Sequence, residues 1–405
     1  MSKGWVDEGY GAVADTFAEN FSLFPELGAA VTVYAGGHKV VELWDGDAAP
    51  GRPWSQETVV PVFSCAKGLV SVVVHLLAQS GQLSLDEPIG TYWPSFVANG
   101  KENITCRMVL GHRAGIPVLD KTLSFEEIAA WTPVITAIED QKPLWEPGTT
   151  YEYHGHVFGF VLGEVVRRLT GQLPGAYFRS VIGDPLGLRA WIGLPASELP
   201  NLARLEEAEG RPPALDPEHL LMRIVTMNGA LEFPGIDVAH GWNDPALLAI
   251  ELPGAGAVAS ATGLAGVYAA AITGLDGADP LLSRETVSDA AREVSSGTSY
   301  LGFDAGARWG SGFLLDSAFR RTLGPRSLAN DGAGGQFAFA DDDHGIAFAY
   351  TANRMIGHGD QRAARLVEAL AKQQVGDCLR RLVHHVVAGR YDVDLPGGIG
   401  LESGA

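Results

Sequence analysis

Two side chains set three residues apart, Ser64 and Lys67, stand in the run Pro61-Val62-Phe63-Ser64-Cys65-Ala66-Lys67-Gly68. A strand-like segment meets a long apolar stretch there, and a helix starting at that junction would put both side chains on one face, one turn apart. A serine hydroxyl becomes a nucleophile when a neighbouring base takes its proton. Lysine serves as that base only when burial, a nearby positive charge or the positive end of a helix draws its pKa down to about 7–8. The apolar neighbours Val62, Phe63, Leu69 and Val70 suit this. By itself the spacing is weak, since S-x-x-K arises about once by chance in a chain this long. A helix-capping serine followed by a solvated lysine would read the same.

The elements that must position this pair follow from periodicity. An amphipathic helix is expected over Val6 to Phe21, and strands over Ala29 to Ala35 and Lys39 to Trp44 flank Gly36-Gly37 as a hairpin. A third strand is expected at Val59 to Phe63. A helical texture follows, over Lys67 to Gln79, Leu85 to Trp93, Cys106 to Leu110, Phe125 to Ile138 and Phe158 to Leu169. Strands return at Trp309 to Leu315, Gln336 to Ala340 and Ile346 to Tyr350, the last two joined by the polar turn Asp341 to Gly345. A helix over Gln361 to Gln373, capped by Asp360, closes the pattern. Strands at both ends around a helical middle predict an α+β fold: one antiparallel sheet covered by the terminal helices, with an inserted, mostly helical domain. The expected division is 1–62 with 295–390 for the sheet domain, 63–294 for the helical domain and 391–405 for a tail. The cleft between the two is the place for chemistry.

Two further segments bear on that cleft. Ile104 to Ile116, ITCRMVLGHRAGI, resembles the segment ITxRxLLxHxSGL of the serine hydrolases that comprise class C β-lactamases and family VIII carboxylesterases. Pro143 to Gly148, PLWEPG, is similar to the turn that precedes the catalytic tyrosine of that group. With the S-x-x-K, the resemblance runs from about Tyr10 to Leu370. It implies the β-lactamase/transpeptidase-like fold, a catalytic set of Ser64, Lys67 and a tyrosine, and an acyl-enzyme. Counting five residues from Gly148 selects Tyr153 over Tyr151, with Gly159 and Gly163 following as the group has them. A phenol near a lysine ammonium has its ionised form favoured, which would let Tyr153 pass protons between Ser64 and the leaving group. Lys67 and Tyr153 would titrate as a pair, so either can be the base.

The group's third element is a strand carrying K-T-G in lactamases and H-x-G or W-x-G in many esterases. Here Asn330-Asp331-Gly332-Ala333-Gly334-Gly335 takes its place. The resemblance implies an oxyanion hole formed by the N–H groups of Ser64 and Ala333, with Asn330, Gly332 and Gly334 lining the substrate. Two departures from the lactamases bear on substrate: Gly155 stands where Y-x-N has an amide, and Asn330 supplies no cation for a substrate carboxylate. Both weaken a β-lactamase reading, the missing cation points to neutral esters, and the resemblance to family VIII implies short acyl chains. A β-lactamase, a D-amino-acid amidase or peptidase and, in another class, a catalytically silent penicillin-binding-like protein are the alternatives.

The remaining signals are exclusions. The 405 residues carry 29 basic and 48 acidic side chains, a formal charge of −19, which disfavours nucleic acid and anionic membranes as partners. The apolar run Leu69 to Ala78 is too short to span a bilayer, and the opening residues give no expectation of a secretory signal. Cys65, Cys106 and Cys378 suit a reducing cytoplasm rather than a disulfide framework. His154, His156, His384 and His385 lack a third ligand at metal spacing, and no G-x-S-x-G occurs. No metal or cofactor is expected. Cys65 is expected in the core, Gly254-Ala255-Gly256 as a flexible connection and Asp341 to Asp343 as a solvated turn.

Overall fold

A computed structural model of the chain describes residues 2–208, 215–233, 235–357 and 359–373. Cys378, His384, His385 and the expected tail 391–405 lie outside the described residues. From the N-terminus the chain builds β1 (Lys3–Val6), α1 (Gly11–Leu23), β2 (Gly28–Ala35), β3 (His38–Ala49), β4 (Val60–Phe63) and α2 (Ala66–Gln79). Then come α3 (His156–Thr170), β5 (Ala190–Ile192), α4 (Leu220–Val225), β6 (Ala257–Ala259) and α5 (Ala261–Ile272). Strands β7 (Ser327–Gly332), β8 (Gln336–Asp341) and β9 (Ile346–Ala352) precede α6, a helix over 362–373.

The main sheet is antiparallel in the order β1-β3-β2-β9-β8-β7, so N- and C-terminal strands meet where β2 pairs with β9, Val31 opposite Tyr350. Alternation along β8 and β9 sends side chains to two different cores. Phe337, Phe339, Phe348 and Tyr350 join Val13 and Phe17 of α1 and Leu366, Val367 and Leu370 of α6. Each such phenylalanine contributes about 1.5–3 kcal/mol by leaving water. Ala338, Ala340, Ala347 and Ala349 face the other way, towards Leu264, Val267 and Tyr268 of α5. Their small size lets that buried helix lie close to the sheet. The β2–β3 hairpin turns on Gly36 and Gly37, both at positive φ, as a two-residue turn of the right twist demands. The α+β architecture and the covering terminal helices are as expected.

Several elements differ from expectation, each for a local reason. Lys3–Val6 is a strand paired with β3, Trp5 opposite Glu42, and the helix starts only at Gly11, after Gly9 turns the chain at φ +96°. The expected helix Phe125 to Ile138 is two, Phe125–Ala129 and Thr132–Asp140, because Trp131 adopts φ +63° and Pro133 starts the second. Leu85 to Trp93 gives only the 3₁₀ turn Ile89–Thr91. Trp309 to Leu315 is mostly not a strand: Gly312, at φ +90°, bends the chain, and Leu314 makes only isolated bridges, to Trp309 and Ala329. The strand expected at Val59 to Phe63 forms but belongs to a separate sheet, β4-β6-β5. Asp341 is the buried end of β8 rather than a solvated turn residue, its carboxylate accepting from Ser327 Oγ (2.5 Å) and His344 N (3.0 Å).

Candidate active site

Strand β4 runs into α2 through Ser64 and Cys65. The residue before the serine, Phe63, holds φ +48°, a conformation that costs a bulky side chain about 1–3 kcal/mol. Two supports offset that strain: pairing of β4 with β6, irregular between Pro61 and Phe63, and the Phe63 ring packed on Trp242 at 4.6 Å. The sharp turn leaves Ser64 partly exposed while Cys65, Ala66 and Lys67 are buried. Cys65 packs in the core, as expected, and its Sγ donates to the Asn330 carbonyl at 3.3 Å.

Lys67 is only 2% exposed. Its Nζ donates to the Gly254 carbonyl at 2.7 Å, lies 3.4 Å from Ser64 Oγ and stands over the Tyr153 ring, 4.7 Å from its centroid. Burial dominates and brings its pKa down to about 7, against a small opposing pull from Asp331. A large share of the lysine is therefore a neutral amine near pH 7. Its lone pair is free for the serine proton while one N–H is held by Gly254.

Tyr153 lies in the irregular segment between the Gly148 turn and α3. Its N–H is held by Glu152 Oε1 (3.0 Å), and its ring packs on His112 (5.0 Å) and Trp309 (5.9 Å). The phenol donates to Ser64 Oγ at 2.7 Å. Burial pushes its pKa above the ordinary tyrosine range. Where the resemblance favoured an ionised phenol, burial favours the protonated one, which donates to the serine. The Tyr151 hydroxyl is spent elsewhere, on the Gly297 carbonyl at 2.7 Å. Ser64, Lys67 and Tyr153 come together, and Tyr151 does not join them.

The surrounding imidazoles do not titrate near neutrality. Burial brings His154 and His156 down to about 4 and His112 well below its ordinary value. His154 Nδ1–H donates to the Glu152 carbonyl (2.7 Å) and His156 Nε2–H to the Val225 carbonyl (3.1 Å). Among the described residues no three His, Cys, Asp or Glu side chains gather as metal ligands.

Strand β7 closes the other side. A Cβ on Gly332 would lie 2.2 Å from the Val62 carbonyl, so only glycine allows this close approach to β4. Ala333 begins a short 3₁₀ turn whose next residues, Gly334 and Gly335, sit at φ +79° and +96°.

Comparison with known proteins decides the family. The beta-lactamase family profile matches residues 17–373. The chain belongs to the beta-lactamase family. Within it, the chain is 30% identical over 383 residues to the esterase/beta-lactamase LipL of Mycobacterium tuberculosis, spanning 87% of this chain and 83% of that protein. It superposes on the crystal structure of a family VIII carboxylesterase with a TM-score of 0.83 at 31% identity, covering 92% of this chain and all of that one. A class C β-lactamase mutant shares the fold, with a TM-score of 0.64 at 15% identity over 90% of this chain and 97% of that one.

Three details of this beta-lactamase-family site were not legible beforehand. Asn330, expected to face substrate, is 3% exposed and turned inward: Oδ1 accepts from Tyr268 OH (2.7 Å) and Nδ2 donates to the Gly312 carbonyl (3.3 Å). Strand alternation directs it beneath Gly68 rather than into the cleft. Gly254, expected in a flexible connection, is buried and holds Lys67. A backbone carbonyl carries no residue-type signal that could have marked it. Gly155 has no room for a side chain, since a Cβ would meet the Ile224 carbonyl of α4 at 2.8 Å.

Proposed function

We propose that this protein is a serine carboxylesterase that hydrolyses short-chain esters through an acyl-enzyme on Ser64. The observation that carries the reading is the hydrogen-bonded chain Tyr153–Ser64–Lys67–Gly254, with a lysine whose pKa is about 7. In it, the neutral Lys67 amine takes the Ser64 proton and Oγ attacks the ester carbonyl. The backbone N–H groups of Ser64 and Ala333 hold the resulting oxyanion, a role worth about 10²–10³ in rate per donor. Tyr153 gives its proton to the departing alkoxide, and the proton on Lys67 replaces it. Water then attacks the acyl-enzyme, its proton returns through the same groups, and Ser64 regains its hydrogen.

LipL is named for both activities, while a family VIII carboxylesterase at 31% identity and the esterase EstB of Burkholderia gladioli at 28% support the choice of esters. So does the charge at the third element. Asp331 is a carboxylate paired with Arg320 at 3.1 Å, and Asn330 is neutral, so this strand presents no unpaired cation to a substrate carboxylate. In the resembled lactamases such a cation would bind the substrate carboxylate and an amide at the Gly155 position helps hold the β-lactam side chain, and both are missing here.

The test compares hydrolysis of p-nitrophenyl butyrate, a chromogenic cephalosporin and a D-aminoacyl anilide by the wild type and Ser64→Ala. Ester turnover is expected to dominate and to fall by about 10³ or more in Ser64→Ala. Unchanged ester turnover in that variant would remove the mechanism. A cephalosporin turned over faster than the ester would move the assignment to β-lactamase.

A further inference from the structure

Behind the Ala333–Gly335 turn lies a cation that the chemistry above does not use. Arg362 opens α6 and has no solvent exposure. Its Nη1 donates to Glu26 Oε1 at 2.6 Å, and its Nε lies 3.1 Å from Asp360 Oδ1. Its Nη2 reaches Asp360 Oδ2 (2.8 Å) and two main-chain carbonyls, Gly334 (2.8 Å) and Arg354 (2.9 Å). The Tyr350 hydroxyl completes the cluster by donating to Glu26.

Stability alone explains such a buried ion cluster poorly, because well-packed apolar side chains of similar volume usually serve as well or better. What the guanidinium adds is a directed donor to one carbonyl. That carbonyl belongs to Gly334, one residue after Ala333, in a turn whose two glycines occupy positive φ and have little intrinsic preference to stay there. The turn is seated directly on this cluster. A Cβ on Gly335 would fall 2.2 Å from Asp360 Oδ2 and 2.6 Å from Arg362 Nη2, and one on Gly334 would fall 2.3 Å from Met355 Sδ. Beside the Gly332–Gln336 strand pairing that flanks the turn, the guanidinium offers it a fixed fork with its carboxylates already in place.

We propose that Arg362 is a positioning residue for the oxyanion hole: by holding the Gly334 carbonyl it fixes the turn so that the Ala333 N–H points at the reacting carbonyl oxygen. The inference rests on the reading of Ser64 as nucleophile and Ala333 as oxyanion donor. Arg362 touches no substrate. Its effect is confined to the transition state, where the oxygen becomes an anion, and leaves ground-state binding alone.

The experiment uses the full chain and four variants. Arg362→Lys keeps the charge and loses the fork. Glu26→Gln disturbs the same cluster while leaving the Gly334 contact in place. Asp360→Asn loosens the guanidinium and takes over the decision if Arg362→Lys is not recovered folded. Readouts are kcat and KM for p-nitrophenyl butyrate, the melting temperature, and the affinity of phenylboronic acid, whose tetrahedral adduct on Ser64 places an oxygen in the oxyanion position. Arg362→Lys, or more weakly Asp360→Asn, is expected to lower kcat and boronate affinity in parallel, by about 10–100-fold in the lysine variant, with KM within about threefold. Glu26→Gln is expected to lose melting temperature while keeping both. Wild-type kcat and boronate affinity in Arg362→Lys would overturn the proposal, as would an equal loss of both in Glu26→Gln at matched melting temperature. Ser64→Ala separates the two readings, for if it still binds boronate and turns over ester, the serine assignment itself fails whatever Arg362 does.

Discussion

Lys67 illustrates how a residue type acquires a role from its surroundings. Its ammonium form is disfavoured by burial, so the base is available only when the proton has left, and kcat/KM should rise with pH along a limb centred near 7. The histidines around it cannot imitate that limb, because they sit at about 4 or well below their ordinary value. A rate profile flat from about pH 6 to 8 would exclude Lys67 as the base. Tyr153 and Tyr151 offer a second comparison. Removing the Tyr153 hydroxyl deletes the donor to Ser64 Oγ, so Tyr153→Phe should cost about tenfold more activity, at least, than Tyr151→Phe. The latter loses only its bond to Gly297, a stability effect of about 1 kcal/mol. The resembled group's spacing from Gly148 singled out Tyr153, and the structure brings its hydroxyl to Ser64 Oγ. The protonation state was not legible in that spacing, because it depends on how dry the finished site is.

At the scale of elements, the site depends on helices and strands approaching more closely than ordinary side chains permit. Gly159 of α3 is the clearest case: an added Cβ would lie 2.1 Å from Gly254 N, on the very segment whose carbonyl holds Lys67. Gly159→Ala should therefore lower stability by about 1–3 kcal/mol and also reduce kcat, since the displaced segment carries the lysine's anchor. Thermal melting and turnover of p-nitrophenyl butyrate measure the two effects. A variant with wild-type melting and turnover would show that the 253–254 segment yields without harm. Gly159 was noticeable in the sequence as a match to a family pattern, but its reason is a backbone 95 residues away in the chain. The same distinction explains the errors in the element boundaries. Trp131 and Phe63 adopt positive φ that no propensity predicts, because tertiary packing imposes it.

For the whole molecule, the buried lysine is a burden on folding. The unfolded chain keeps Lys67 protonated up to its ordinary pKa of 10.5, whereas the folded chain holds the proton only below about 7. Between those values the unfolded state binds more protons, so this group's contribution to stability improves as pH rises and is worst below about 7. Lys67→Met should be inactive yet more stable than the wild type near pH 6, by about 2 kcal/mol or more even after losing the Gly254 bond, with the advantage shrinking towards pH 9. Melting curves at the two pH values test this, and an advantage that grew with pH would contradict it. Sequence alone pointed to the antiparallel sheet with helical regions and to Ser64 and Lys67 on one helix face, because alternation and helical pitch are local properties, and the resemblance to a known group singled out Tyr153. Only the tertiary structure decided that Asn330 turns inward, that Gly254 holds Lys67, that the Tyr153 hydroxyl is buried against Ser64 and that Arg362 underlies the Ala333 turn. Those facts depend on burial and on backbone atoms brought together from distant parts of the chain, and neither property belongs to a residue until the chain has folded.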